Sequence, residues 1–186
     1  MYDYGNARLH AIKSRFLSRN ELELLAEAES LQGLIAALTR TVYRTSVEIA
    51  LTRATGMECI NEALRFELVT TLDKARRFYS NHAGELVSLV LRDYDIHNLK
   101  TILCGLARNA SPGEILSSLL PIGDLSYSLL SELARASGPR GVIDLLASMN
   151  LPFAQPLLKL RARHPGAELF EMELALEQWH YQESHA

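Results

Sequence analysis

The sequence has little of what special chemistry usually needs. It holds two cysteines, Cys59 and Cys104, far apart and with no CxxC spacing. That excludes a disulfide framework and leaves two reduced packing thiols in a reducing compartment. No apolar run approaches the ~18 residues that span a bilayer, and no basic-then-apolar leader opens the chain. The expectation is a soluble protein with no transmembrane segment of its own, so any membrane role is peripheral. Cationic residues are not in excess: 19 Lys and Arg stand against 22 Asp and Glu, a net charge of −3, so nothing overall points to a nucleic-acid partner. Sustained period-two alternation and Asn-Gly or Asp-Gly hairpins are missing, which argues against strands. There is no GxSxG, Walker or GxGxxG sequence, hence no nucleophile elbow and no phosphate cradle. The carboxylates of the last segment have no basic partner in an acid/base arrangement. No catalytic site and no cofactor are expected.

What is present is helix. Hydrophobic residues make up 48% and charged residues 22%, an ordinary globular balance in a chain long enough to bury a core. Ser18 with Glu21, and Ser111 with Glu114, are capping boxes in which each side chain satisfies a free N–H at a helix start. Pro112 falls at a first helical position, where its missing donor costs nothing, and Pro139, Pro152 and Pro165 mark three further starts. Leu86, Leu89, Val90, Tyr94, Leu99, Ile102, Leu103 and Leu106 follow a 3.6-residue period. The fold class expected is all-α.

The chain also repeats itself. Tyr2, Asp3 and Asn6 recur as Tyr94, Asp95 and Asn98, each set followed two places on by a basic residue, Arg8 or Lys100. A second echo aligns "LSRNELELLAEAESLQGLIAAL" from Leu17 with "LSYSLLSELARASGPRGVIDLL" from Leu125, with nine of 22 positions identical. A third pairs "ELVTTL" from Glu67 with "ELALEQ" from Glu173. Three echoes in one order predict repeated helical bundle units: a complete one over 1–93 and an incomplete one over 94–186. The second unit lacks a counterpart of the long apolar segment from Gly84 to Leu106, which is expected to cover the core of the first. Its last helix, with Leu169, Phe170, Met172, Leu174, Leu176, Trp179 and Tyr181, is therefore expected to leave a sticky face around Phe170 and Trp179. Another chain, a second copy or a partner, would cover it.

"YGNARLHAIKSRFLS", "LRDYDIHNLKTIL", the Leu-Pro segment "LLPIGDL" and the closing "ELALEQWHYQ" together resemble the C subunit of archaeal and bacterial V/A-type ATPases, whose eukaryotic relative is the d subunit of the vacuolar proton pump. The likeness runs along essentially all 186 residues and corresponds to roughly the N-terminal half to two-thirds of the family's plan. The resemblance implies similar helical bundles around a pseudo-threefold axis, three in the family, forming a socket. That socket sits on the membrane rotor ring and receives the rotary shaft. This chain holds one bundle and most of a second. The implied function is a non-enzymatic central-stalk rotor adaptor of a proton- or sodium-translocating ATPase or synthase, peripheral on the cytoplasmic face of the membrane. Its partners would be the shaft subunits and the rotor ring. The alternative is a stand-alone helical-repeat scaffold that binds another soluble helical protein.

Within this frame the polar signature, Asp3, Asn6, Asp95 and Asn98, stands out. On a helix, Leu91, Tyr94, Asn98 and Ile102 share a stripe, so Asn98 is an amide at a core-facing position. An internal tether to a neighbouring helix end is favoured over a rotor contact, because a duplicated residue suits a fold-defining bond, and Asn6 is read the same way. Asp93, Asp95 and His97 alternate, but i and i+2 point roughly 200° apart on a helix and do not converge on one metal ion. His180 and His185 are read as solvated, and Arg65, Lys74, Arg76 and Arg77 as a solvated face. The basic opening, Arg8, Lys13, Arg15 and Arg19, contrasts with 165–186, which carries five Glu and no Lys or Arg. Arg8 and Arg15 lie seven apart on one face, which Arg19 extends if the helix continues. Two readings stand equal for these cations, a partner contact and ordinary helix solubility.

Overall fold

A computed structural model describes residues 3–185. Its described residues form eleven helices and no strand, and the chain divides into two compact units, Met1–Val87 and Ser88–Ala186. The repeat in the sequence draws its line at 93/94; both positions fall inside one unbroken helix.

The first unit contains α1 (Asp3–Lys13), α2 (Arg19–Ala26), α3 (Leu31–Leu38), α4 (Arg44–Leu51) and α5 (Gly56–Arg76). Ser18 opens α2 as a capping box: its backbone N–H donates to Glu21 Oε2 at 2.7 Å, and Glu21 N–H donates back to Ser18 Oγ at 3.3 Å. Ser30 caps α3 by accepting from Gly33 N–H at 3.1 Å. The buried cluster is thin. It consists of Leu38, Val47, Ala50, Ala54, Cys59, Ile60 and Ala63, and three alanines contribute little area each. Large apolar side chains around it, among them Phe16 (61% exposed), Leu24 and Met57, stay wet. α1 approaches its neighbours through Gly5, its single buried residue among those described. A Cβ there would stand 2.4 Å from the Tyr79 ring, so any larger residue would have to displace that ring.

The second unit takes over within α6 (Asn81–Ala107) and continues through α7 (Pro112–Ser117), α8 (Tyr127–Leu133), α9 (Pro139–Ser148), α10 (Ala154–Arg163) and α11 (Leu169–Ser184). Ser111 and Glu114 box the start of α7 with Pro112 at its first turn, and Pro139 opens α9. Pro152 and Pro165 lie in turns ahead of α10 and α11. Here the core is substantial. Ile96, Leu99, Ile102 and Leu103 of α6 pack with Leu130 and Leu133, with Val142, Ile143 and Leu146, with Leu157, and with Leu176 and Trp179 of α11.

This corrects the expectation of an uncovered second unit. The apolar stripe of α6 becomes buried only from Leu91 onward, and it enters the cluster of the second unit, while the buried cluster of the first draws nothing from α6. Trp179 is accordingly 8% exposed and meets Phe153 edge-on, with ring centroids 5.4 Å apart. Periodicity locates the stripe but does not say which core it joins. The basic face is corrected as well. α1 ends at Lys13 and the Ser18 box starts a new helix, so Arg15 lies in the turn and Arg19 on α2, off any common helical face with Arg8.

Candidate functional site

The densest polar construction among the described residues joins α6 to the loop before α8. Asp95 and Asn98, three residues apart and hence on one helix face, are both fully buried. Asn98 Nδ2 donates to the Leu120 carbonyl at 2.7 Å, and Leu120 N–H donates to Asn98 Oδ1 at 2.8 Å. The amide thus replaces a strand partner for one loop residue. Asp95 receives Asp124 N–H on Oδ2 at 2.7 Å and Leu125 N–H on Oδ1 at 3.0 Å. The loop needs these four bonds because Leu119, Ile122 and Leu125 turn inward and carry its backbone away from water. A Cβ at Gly123 would lie 2.3 Å from the Asp95 carboxylate, so glycine is required where that side chain passes. The loop is the Leu-Pro segment "LLPIGDL": two stretches that stand out separately in the sequence are partners in space.

Burial is the dominant influence on Asp95 and pushes its carboxyl pKa above the ordinary carboxylate value, against the two N–H donors that pull it down. The folded protein therefore holds this proton more tightly than the unfolded chain does. The stability the group contributes is fully present below the ordinary carboxylate range and is lost as pH rises through its raised value. Asp95→Asn should flatten that part of the stability–pH curve, measured by urea unfolding at a series of mildly acidic pH values. An unchanged curve would mean that Asp95 does not titrate there.

The first copy of the signature is built differently, and the expectation for Asn6 is corrected. Asp3 and Asn6 are exposed, Asn6 Oδ1 accepts from the Tyr79 hydroxyl at 2.8 Å, and Tyr2 lies outside the described residues. Gly5 occupies the place that His97 has in the second copy, and the Tyr79 ring fills the space. α1 therefore docks through one small residue, and its polar groups remain at the surface. Arg8 lies over the Phe78 ring at 4.5 Å and the Tyr4 ring at 5.4 Å, a cation–π stack that holds its charge outward. Lys13 and Arg15 are exposed, and Arg19 pairs with Glu23 at 2.9 Å.

Two grooves flank these features. In the first unit, about 690 Å³ opens between Ile12, Phe16, Val42, Leu64, Leu68 and Leu72, with Arg15, Glu67 and Lys74 among its lining. In the second, about 510 Å³ lies between α6 and α11. There Asp93 Oδ1 meets His180 Nε2 at 2.6 Å, and Lys100 pairs with Glu177. His180 is only 14% exposed, not solvated as the sequence suggests, and its Nδ1 is buried without a hydrogen-bond partner among the described residues. Asp93 and His180 are far apart in the chain, and no local pattern announces the pair. Phe170, at 70% exposed, and Tyr181, at 67%, project from α11 while Trp179 points inward, so the two aromatics expected to share one face are separated. Arg65 and Arg76 are half-buried and Lys74 and Arg77 exposed, with Arg77 held by Asp73 at 2.6 Å. Among the described residues no three His, Cys, Asp or Glu side chains gather as metal ligands, and no helix is long and apolar enough to cross a membrane.

Residues 5–186 match the family described as ATP synthase (C/AC39) subunit. The C subunit of the A-type ATP synthase of Methanosarcina acetivorans is 30% identical over 180 residues, covering 97% of this chain and 48% of the relative. That of Methanosarcina barkeri is 29% identical with the same coverage. The C subunit of the V-type ATP synthase of Deinococcus radiodurans is 22% identical over 181 residues, covering 97% of this chain and 51% of the relative. The chain spans about half the length of the curated relatives it matches.

Proposed function

This chain belongs to the ATP synthase (C/AC39) subunit family, and from that premise we propose that it is a non-catalytic rotor adaptor of a V/A-type proton- or sodium-translocating ATPase or synthase. It couples the rotary shaft to the membrane rotor ring from the cytoplasmic side. The family match over residues 5–186 carries this reading. The construction of the second unit supports it: an element that passes torque must not yield, and the 27-residue α6 is both packed into a core and tied by four hydrogen bonds to the loop it crosses. Helix ends supply fixed partial charges that orient a shaft without moving parts. The exposed cations Lys13 and Arg15 are proposed to meet acidic partner residues, where they speed association more than they tighten it. The two units are proposed to be copies of one helical repeat, with 2–42 equivalent to 94–150. The differing surroundings of Asn6 and Asn98 reflect separate adaptation of each copy.

Affinity purification of the tagged chain from detergent-solubilised membranes tests the assignment. Shaft and ring subunits should co-purify in fixed ratio and withstand a salt wash. Recovery of the chain without them, bound to an unrelated helical protein, would favour the stand-alone scaffold.

A further inference from the structure

The first-unit groove and the outer face of α11 are complementary, and we propose that α11 of a second copy of this chain docks there. The groove floor is the α5 row Leu64, Leu68 and Leu72, spaced i, i+4, i+8 and so extending ~12 Å at 1.5 Å per residue. Phe170, Leu174 and Tyr181 form one exposed stripe on α11, about 16 Å long and so long enough to cover that row. The charges match too. Arg15 and Lys74 stand in the groove and make no salt bridge among the described residues. The α11 stripe is flanked by Glu173 and by Glu177, which already pairs with Lys100, on a helix without Lys or Arg, so Glu173 is the acid left to face the groove cations. Glu67 is the one acid in the groove, and its carboxylate is engaged by the hydroxyls of Ser46 and Thr71. Both surfaces are exposed on the single chain, so each copy carries both halves of a contact between unlike patches. Filling the groove removes from water large apolar side chains that the thin core of the first unit leaves uncovered. The contact does not rest on the pump assignment, but it uses Arg15, so a copy bound this way does not offer that cation to a pump partner at the same time.

Sedimentation velocity of the full chain, from low micromolar to submillimolar concentration, tests it. Association should rise with concentration and weaken at high salt. Two double variants at exposed positions, F170S/Y181S on α11 and R15E/F16S in the groove, should each be monomeric with unchanged helical circular dichroism. Mixed in equal amounts, they should form a one-to-one complex, because each retains the half the other lacks. The charge reversal R15E/K74E, which removes no apolar contact, should weaken association at low salt and leave it unchanged at high salt. A wild-type chain that stays monomeric throughout overturns the proposal. So does association that survives both double variants, or variants that remain monomeric when mixed.

Discussion

Asn98→Ala should lower the melting temperature of the protein steeply. The substitution leaves the Leu120 N–H without its acceptor, at about 1–3 kcal/mol, and takes one of two donors from the Leu120 carbonyl, which keeps Ile122 N–H at 2.8 Å. A net loss of about 2 kcal/mol corresponds to roughly 8–16 °C for a unit near 100 residues. Asp95→Ala should act similarly, since it strips Asp124 and Leu125 N–H of their acceptor. The two losses should not simply add, because both variants release the same loop. Asn6→Ala, removing an exposed bond to Tyr79, should cost less than about 1 kcal/mol. Thermal melts followed by far-ultraviolet circular dichroism separate these cases. Equal shifts for Asn6 and Asn98 would contradict the assignment of different roles to the two copies.

Trp179→Ala should be at least as damaging. The ring is part of the large buried cluster and abuts Phe153, and truncating a core tryptophan typically costs about 3–5 kcal/mol. Phe170→Ala, nine residues earlier on the same helix but exposed, should change stability by no more than about 0.5 kcal/mol. As the sole tryptophan, Trp179 also reports directly: its fluorescence should resist iodide quenching in the native state and become accessible on unfolding. Free quenching of the native protein would mean that α11 is not seated as described.

How much of this is legible in the sequence follows a physical division. Local devices are readable: the Ser18 and Ser111 boxes, the helix starts at Pro112 and Pro139, and the all-helical class all depend on residues within one turn of each other. Asn98 is readable as a polar residue on an apolar stripe, because helical geometry fixes which face a residue takes. What that face meets is not a local property. Leu120 as partner, the Asp93–His180 pair and the delivery of the α6 stripe to the second core depend on chain paths that periodicity does not encode. The same gap explains Trp179: its apolar helix and the α6 stripe are both visible in the sequence, but not that they enter one core. Asn6 misleads for another reason. Its signature recurs in the sequence, but the residues between and after its polar positions differ: Tyr4, Gly5 and Ala7 stand where Ile96, His97 and Leu99 do. The apolar anchors of the later segment are therefore missing, the Tyr79 ring meets α1 at Gly5, and the Asn6 amide stays at the surface. Likewise the spacing of Arg8, Arg15 and Arg19 suggests one face only if the helix runs through the capping box at Ser18, which is itself visible.

The adaptor assignment is tested most directly by coupling. Membrane vesicles carrying the rotary complex should be depleted of this chain and then resupplied with it, with ATP hydrolysis and ATP-driven ion uptake measured side by side. The account predicts that depletion abolishes ion uptake while hydrolysis by the detached head continues, and that adding the chain back restores uptake. Undiminished ion uptake in vesicles free of the chain would contradict it.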